Sequence, residues 1–231
     1  MEGMGQEREI NMYEYVTESQ AAPYKSFCQS VLDKLQAELK KEHGIHTRLT
    51  LVGSGAVNMV TRNGKEPFDL DYNLILTAIP RESVKSAEEL KALVRRVLDR
   101  LVSGKASAER SFSYEKNFSC GQDSTSSITY LLHSPDRRSV EFKFDLALIL
   151  EKNGKYSRLV HDKKQGRFFW NLIPKSKDLE TKLAAIQAAN RHADVRSIYL
   201  RKKNEYLRRQ DRDHPSYIVY IEAVHQAYQR L

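Results

Sequence analysis

The chain has 231 residues, of which 40% are hydrophobic and 29% charged, a composition typical of proteins that bury a core. No apolar run approaches the roughly 18 residues of a membrane span, and the acidic N-terminus lacks the apolar stretch of a secretory signal. Cys28 and Cys120 are too few for a disulfide framework or a Cys-based zinc site, so we expect a cytoplasmic protein. The net charge of +8 favours polyanionic partners such as triphosphates or nucleic acid.

The first predicted element is an amphipathic helix. Residues 1–22 are polar and predict a loosely held segment or a short helix. Apolar residues then recur about every four positions from Phe27 to Leu39. Pro23 suits the first turn of this helix and Gly44 its end.

Two strands follow. Thr47–Val52 predicts a short strand, and Phe68–Leu76 a clearer one, because apolar and polar residues alternate along it. Between them, Asn63-Gly64 is a turn signal and predicts a small hairpin extension.

A second helix is predicted from Ser86, which forms a capping-box pattern with Glu89, to Gly104. Residues 105–124 give no clear pattern. Two strands are predicted next, joined by a turn at 134–137, over 127–133 and 139–150.

The remaining chain changes character at Pro174. Residues 156–173 predict strand or irregular structure, with three aromatic core candidates, Phe168, Phe169 and Trp170. After Pro174 three helices are predicted, the first capped by Ser176. The last two are separated at 214–216, and the apolar face of the last is formed by Ile218, Ile221, Val224 and Tyr228. We therefore predict an α+β fold: residues 1–173 form a core with a mixed sheet and helices on one face, and 174–231 a C-terminal helical subdomain.

Carboxylates on the polar side of these strands are the candidate functional residues. Asp69 and Asp71 are two residues apart on one strand and so share a face. Such a pair repels itself and favours a hard divalent cation, which takes carboxylate and phosphate oxygens as ligands.

A third acid fits the same arrangement. Asp145 interrupts the apolar strand of residues 139–150, and Asp is depleted from strands. If this strand lies beside that of Asp69, three carboxylates converge, which suits two metal ions roughly 3.5–4 Å apart. Glu141, on the same strand face, is the alternative third acid.

Gly53 and Ser54 follow the first strand directly. A glycine turn lets backbone N–H groups approach phosphate, and the Ser54 hydroxyl adds a donor. We expect the β- and γ-phosphates of a nucleoside triphosphate there.

Together, Gly53-Ser54, Asp69-Leu70-Asp71 and Asp145 resemble the motif of the polymerase-β-like nucleotidyltransferase superfamily, nearest to its cyclic GMP-AMP synthase and oligoadenylate synthase branch. The resemblance implies transfer of a nucleoside monophosphate from an NTP to an acceptor hydroxyl with release of pyrophosphate. It further implies that Asp69, Asp71 and Asp145 are catalytic and bind Mg²⁺ or Mn²⁺. The spacing from Ser54 to Asp69 is longer than is usual for the superfamily.

Basic residues supply further candidates. Lys143 shares the face of Asp145 and is assigned to nucleotide binding; its alternative role is only to offset the carboxylate charge. Lys182, near the start of the helix after Pro174, is assigned to nucleotide binding as well, with a solvated helix end as the alternative. The basic run 191–212 could bind a nucleic-acid backbone, but acids interrupt it, which favours a solvated face. The acceptor stays open between RNA, DNA, a second nucleotide, a protein and a small molecule, and the sequence says nothing of oligomeric state. The alternative function is a catalytically silent module that binds nucleic acid or acts like an antitoxin.

Overall fold

The computed structural model describes residues 12–102, 118–134, 138–174, 176–211 and 213–231. The chain divides into two units. The larger consists of Val16–Val60 and the described part of 66–174, and the smaller of Thr61–Lys65 with the described residues of 1–15 and 175–231. The predicted boundary after residue 173 stays a prediction.

The larger unit contains a mixed sheet, which for the described residues has seven strands. Its strands are β2 (His46–Val52), β4 (Phe68–Ala78), β5 (Phe118–Cys120), β6 (Ile128–His133), β7 (Val140–Lys152), β8 (Lys155–Asp162) and β9 (Arg167–Leu172). The order is β2-β4-β7-β6-β5, and β8 pairs with the end of β7 and with β9. Only β4 and β7 run parallel; the other pairs are antiparallel.

Two long helices, α1 (Glu18–His43) and α3 (Ala87–Val102), pack against the apolar face of this sheet. Every second residue of β4 and β7 is buried there because side chains alternate across a strand. At the centre Phe68, Phe142 and Phe144 are fully buried. The predicted α+β class, with helices on one face of a mixed sheet, is confirmed.

The start of α1 differs from the prediction. Thr17 and Gln20 form a capping box, in which the Thr17 side chain accepts from the Gln20 backbone and Gln20 bonds back to Thr17. The helix therefore begins at Glu18, and Pro23 lies inside it rather than in its first turn. Its end at Gly44 is as predicted, with φ of +63°.

The segment after β7 forms a hairpin of two regular strands, β8 and β9. Phe168 and Trp170 are half-buried against the core, but Phe169 is 42% exposed. Phe169 was therefore wrongly predicted as a core residue, because residue 169 points to the face opposite its two neighbours. The predicted helix end at Gly104 and most of the predicted turn at 134–137 lie outside the described residues.

The smaller unit contains three helices, α4 (Lys177–Ala188), α5 (His192–Arg208) and α6 (Ser216–Tyr228). It also holds a two-stranded sheet of β1 (Tyr13–Tyr15) and β3 (Thr61–Asn63). The three predicted helices are present, and Ser176 caps α4 by accepting from the Leu179 backbone N–H at 3.3 Å. The expected hairpin around Asn63-Gly64 is wrong, because β3 pairs with β1 and not with β4.

The buried face of α6 also differs from the prediction. Ile218 is 39% exposed, and Tyr228 is exposed as well. The buried residues are Val219, Ala223, Val224 and Ala227. Of the predicted apolar face, Val224 is therefore buried and Ile221 half-buried, whereas Ile218 and Tyr228 face outwards.

Candidate metal and nucleotide site

The three predicted acids come together on the polar face of the sheet. Asp71 and Asp145 are directly paired across the parallel strands β4 and β7, and Asp69 is paired with Lys143. One carboxylate oxygen from each of Asp69, Asp71 and Asp145 lies within 4.8 Å of the other two. Among the described residues this is the sole group of acids, histidines and cysteines with such spacing. Glu141 lies outside it.

The cluster is electrostatically strained without a cation. Burial, together with the Asp69 and Asp145 carboxylates, raises the pKa of Asp71 from 3.8 to about 7, and Arg158 and Lys143 oppose the rise. A divalent cation bound to the cluster would reverse this effect, because its positive charge lowers the pKa of a carboxyl group that neighbouring carboxylates have raised. An all-oxygen donor set also suits Mg²⁺ or Mn²⁺.

Two hydroxyl groups bind the Asp145 carboxylate from the neighbouring strand. Ser127 donates to Oδ1 at 3.1 Å, and Thr129, the cross-strand partner of Asp145 on β6, donates to the same oxygen. The sequence patterns did not single out either residue. The available signal was that the two residues are two positions apart at the start of β6, which places their side chains on the same face of the sheet.

The Gly53 turn lies against the acids. Gly53 has φ of +62° and begins α2 (Gly53–Ala56), directly after Val52, the cross-strand partner of Asp71. A Cβ atom added to Gly53 would lie 2.7 Å from Asp71 Oδ2. The structure therefore brings the backbone of the Gly53-Ser54 turn up to the acidic cluster. The predicted phosphate-binding role of Gly53 and Ser54 stays a prediction.

Polar residues beyond the acids extend this face. Asn73 follows Asp71 by two residues on β4, and Arg158 on β8 pairs with Ile149, four residues after Asp145, so both share the face of the acids. Asn73 Oδ1 and Arg158 Nε are buried and have no hydrogen-bond partner among the described residues. Sequence reasoning missed both, Arg158 because the strand character of 156–173 was left undecided.

The other predicted basic residues are described within the smaller unit. Lys182 lies on α4, where its Nζ donates to Asp178 at 2.6 Å; its assignment to the nucleotide stays a prediction. On α5, Arg201 pairs with Glu205 and Lys202 with Glu222. These two basic residues are thus held in ion pairs, and the solvated face favoured above for the basic run stays a prediction.

Comparison with solved structures finds similar folds. CdnC of Escherichia coli MS115-1, solved with ATP, matches 92% of the chain with a TM-score of 0.53 at 16% identity. CdnG of Bradyrhizobium diazoefficiens, in complex with GTP, matches 91% with a TM-score of 0.53 at 13% identity. The GTP-bound form of Vibrio cholerae DncV matches 92% with a TM-score of 0.56 at 8% identity.

The chain covers 62%, 65% and 67% of the lengths of these three proteins, respectively. No family model matches it, and no curated protein does. None of the helices in the described ranges combines the length and apolarity needed to cross a bilayer. The chain therefore has the same fold as CdnC, the CD-NTase CdnG and DncV, and the resemblance predicted from the motif is confirmed at the level of the fold.

Proposed function

We propose that the protein is a metal-dependent nucleotidyltransferase that moves a nucleoside monophosphate from an NTP to an acceptor hydroxyl. The observation that supports this most strongly is the acidic cluster. Asp69, Asp71 and Asp145 converge on one face of two parallel strands, on a fold whose solved relatives hold ATP or GTP. In the reaction the acceptor oxygen bonds to the α-phosphorus and the bond to pyrophosphate breaks. The hydroxyl proton passes to a carboxylate or to water.

Each residue has an assigned part in this proposal. Asp69, Asp71 and Asp145 hold Mg²⁺ or Mn²⁺, which when bound offsets the charge of the carboxylates and of the phosphate oxygens. The backbone N–H groups at Gly53 and Ser54 and the Ser54 hydroxyl bind the β- and γ-phosphates. The close approach of this turn to Asp71 supports placing the triphosphate between the turn and the acids.

Two lysines complete the nucleotide site in the proposal. Lys143, opposite Asp69, offsets negative charge on the acidic face and contacts a phosphate oxygen. Lys182 is proposed as a further nucleotide-binding residue. The acceptor is a second nucleotide or a nucleic-acid end, in line with the net charge of +8, and the protein acts in the cytoplasm.

Pyrophosphate release tests the proposal. The protein is incubated with each of the four ribonucleoside triphosphates, with Mg²⁺ or Mn²⁺, and with or without RNA. Products are identified by mass spectrometry. We expect metal-dependent release of pyrophosphate with at least one NTP, and a product heavier than the acceptor by one nucleoside monophosphate.

Single Asp→Asn variants at 69, 71 and 145 reduce release to background. Asp33→Asn serves as the control, because Asp33 is exposed on α1 and lies outside the acidic cluster. A wild-type protein that binds ATP or GTP with Mn²⁺ but releases no pyrophosphate with any NTP overturns the proposal. That result favours the catalytically silent alternative.

A further inference from the structure

Asp145 is restrained more heavily than its two partner acids by hydrogen bonds of the described residues. Its Oδ1 accepts hydrogen bonds from the hydroxyl groups of both Ser127 and Thr129. Thr129 is buried, with 9% of its surface exposed, so its hydroxyl has little access to water as an alternative partner. Because the carboxylate is planar, two donors on Oδ1 restrain the orientation of the whole group.

The segment that carries these hydroxyls is itself anchored to α3. Asp123, just before β6, accepts a hydrogen bond from the Thr129 backbone N–H at 3.2 Å. Its carboxylate is held by Lys91 at 3.0 Å and by Arg95, one turn apart on α3. The side chains of Asp123, Lys91, Arg95 and Thr129 are mostly buried, so solvent screens these bonds only weakly.

The Asp123 backbone carbonyl also accepts a hydrogen bond from Lys163 at 2.6 Å. The loop before β6 is thus fixed at both its side chain and its backbone. The Ser124 hydroxyl contacts that of Ser127 at 2.7 Å and accepts the Ser127 backbone N–H at 2.9 Å, which orients Ser127 towards Asp145. Helix α3 is therefore connected to Asp145 through an unbroken series of bonds.

We propose that Ser127 and Thr129 are positioning residues, which hold the Asp145 carboxylate in the orientation that binds the divalent cation, and that the Asp123 contacts with Lys91 and Arg95 keep them in place. This inference rests on the proposed function, because it assumes that Asp145 is a metal ligand. Residues that orient metal ligands through hydrogen bonds typically account for 10–100-fold in metal affinity or activity. The sites to change lie outside the acidic cluster itself.

The test measures Mn²⁺ affinity directly, by electron paramagnetic resonance of free Mn²⁺ in a titration without nucleotide. Thr129→Val keeps the shape of the side chain and removes its hydroxyl, whereas Thr129→Ser keeps the hydroxyl. We expect Thr129→Val and Ser127→Ala each to weaken Mn²⁺ binding about 10-fold, and Thr129→Ser to restore most of the affinity. The double variant of Ser127 and Thr129 should weaken it further.

Ser126→Ala is the matched control, because Ser126 neighbours Ser127 but is not among the residues that bond Asp145. Circular dichroism and melting in chelator establish that each variant is folded. Asp145→Asn distinguishes a failure of the proposed metal site from a failure of the positioning role of Ser127 and Thr129. If it leaves Mn²⁺ affinity unchanged, the proposed metal site fails. If it weakens binding but folded Thr129→Val and Ser127→Ala bind Mn²⁺ as wild type does, the positioning inference is overturned.

Discussion

Replacing Asp71 by asparagine should stabilise the metal-free protein at neutral and alkaline pH. Burial, then the carboxylates of Asp69 and Asp145, raise the pKa of Asp71 from 3.8 to about 7. At pH values between these two pKa values, Asp71 therefore keeps its proton in the folded state but has lost it in the unfolded chain. Since the folded state binds more protons, the free energy of unfolding falls as pH rises through this window.

The size of the effect follows from the pKa values. From 3.8 to about 7, at 1.36 kcal/mol per pKa unit, the rise corresponds to about 4 kcal/mol. In chelator, this contribution of Asp71 to the free energy of unfolding of the wild-type protein is fully present below pH 4 and is lost above pH 7. Asparagine carries no charge at any of these pH values. The Asp71→Asn variant should therefore match wild type near pH 4 and exceed it by up to about 4 kcal/mol at pH 8.

Urea unfolding in chelator, followed by circular dichroism at pH 4, 6 and 8, measures this difference. Asp33→Asn, on the exposed side of α1, should show no pH-dependent gain. Adding Mn²⁺ at pH 8 should stabilise wild type more than the Asp71→Asn variant, because the cation binds the folded cluster. An Asp71→Asn variant that is less stable than wild type at pH 8 in chelator would refute the reasoning.

Three further predictions test the surroundings of the cluster. Gly53→Ala should abolish pyrophosphate release, because its Cβ meets the Asp71 carboxylate. The control is Gly166→Ala, where φ is also +62° but the space around the residue is open; backbone strain there should lower the free energy of unfolding by only roughly 1–2 kcal/mol and leave activity intact. Arg158→Met should lower the free energy of unfolding in chelator above pH 7, measured in urea, because Arg158 opposes the raised pKa of Asp71; equal stability would remove Arg158 from the acidic face. Thr17→Ala should lower the free energy of unfolding by about 1 kcal/mol through loss of the cap of α1, and an unchanged urea midpoint would contradict that assignment.

Local patterns were sufficient to predict most of the larger unit. Alternation along the first halves of β4 and β7 indicated which side of each strand is buried, and so placed Asp69 and Asp71 on the polar side of one strand and Asp145 on the polar side of the other. That the two strands are neighbours, with Asp71 opposite Asp145, is a long-range fact. The motif resemblance implied that the three acids act together, but neither it nor alternation predicted the register of the two strands.

Residues that act through tertiary neighbours escaped prediction. Thr129 and Ser127 became relevant only once β6 was known to pair with β7, because the acid that their hydroxyls bond, Asp145, lies 16 and 18 residues away in sequence. Arg158 was missed because alternation did not stand out along residues 156–173, so their strand character stayed undecided. The pairing of β3 with β1 joins segments almost 50 residues apart, so the local turn signal at Asn63-Gly64 suggested the wrong partner.

Amphipathic periodicity gave the C-terminal helices but not all of their faces. In α6, large apolar residues lie on more than one side, and the predicted stripe followed the largest of them. The buried side instead carries Ala223 and Ala227, which allow close approach of another element. Size alone therefore misplaced the inner face, because packing selects side chains that fit and not those that are most hydrophobic.

The most direct test of the central claim is anomalous diffraction at the manganese edge, from crystals grown with Mn²⁺ and non-hydrolysable analogues of ATP or GTP. We expect anomalous peaks about 2.1 Å from carboxylate oxygens of Asp69, Asp71 and Asp145, with the triphosphate between these acids and the Gly53-Ser54 turn. Bound nucleotide with no anomalous peak at the three carboxylates would contradict the central claim.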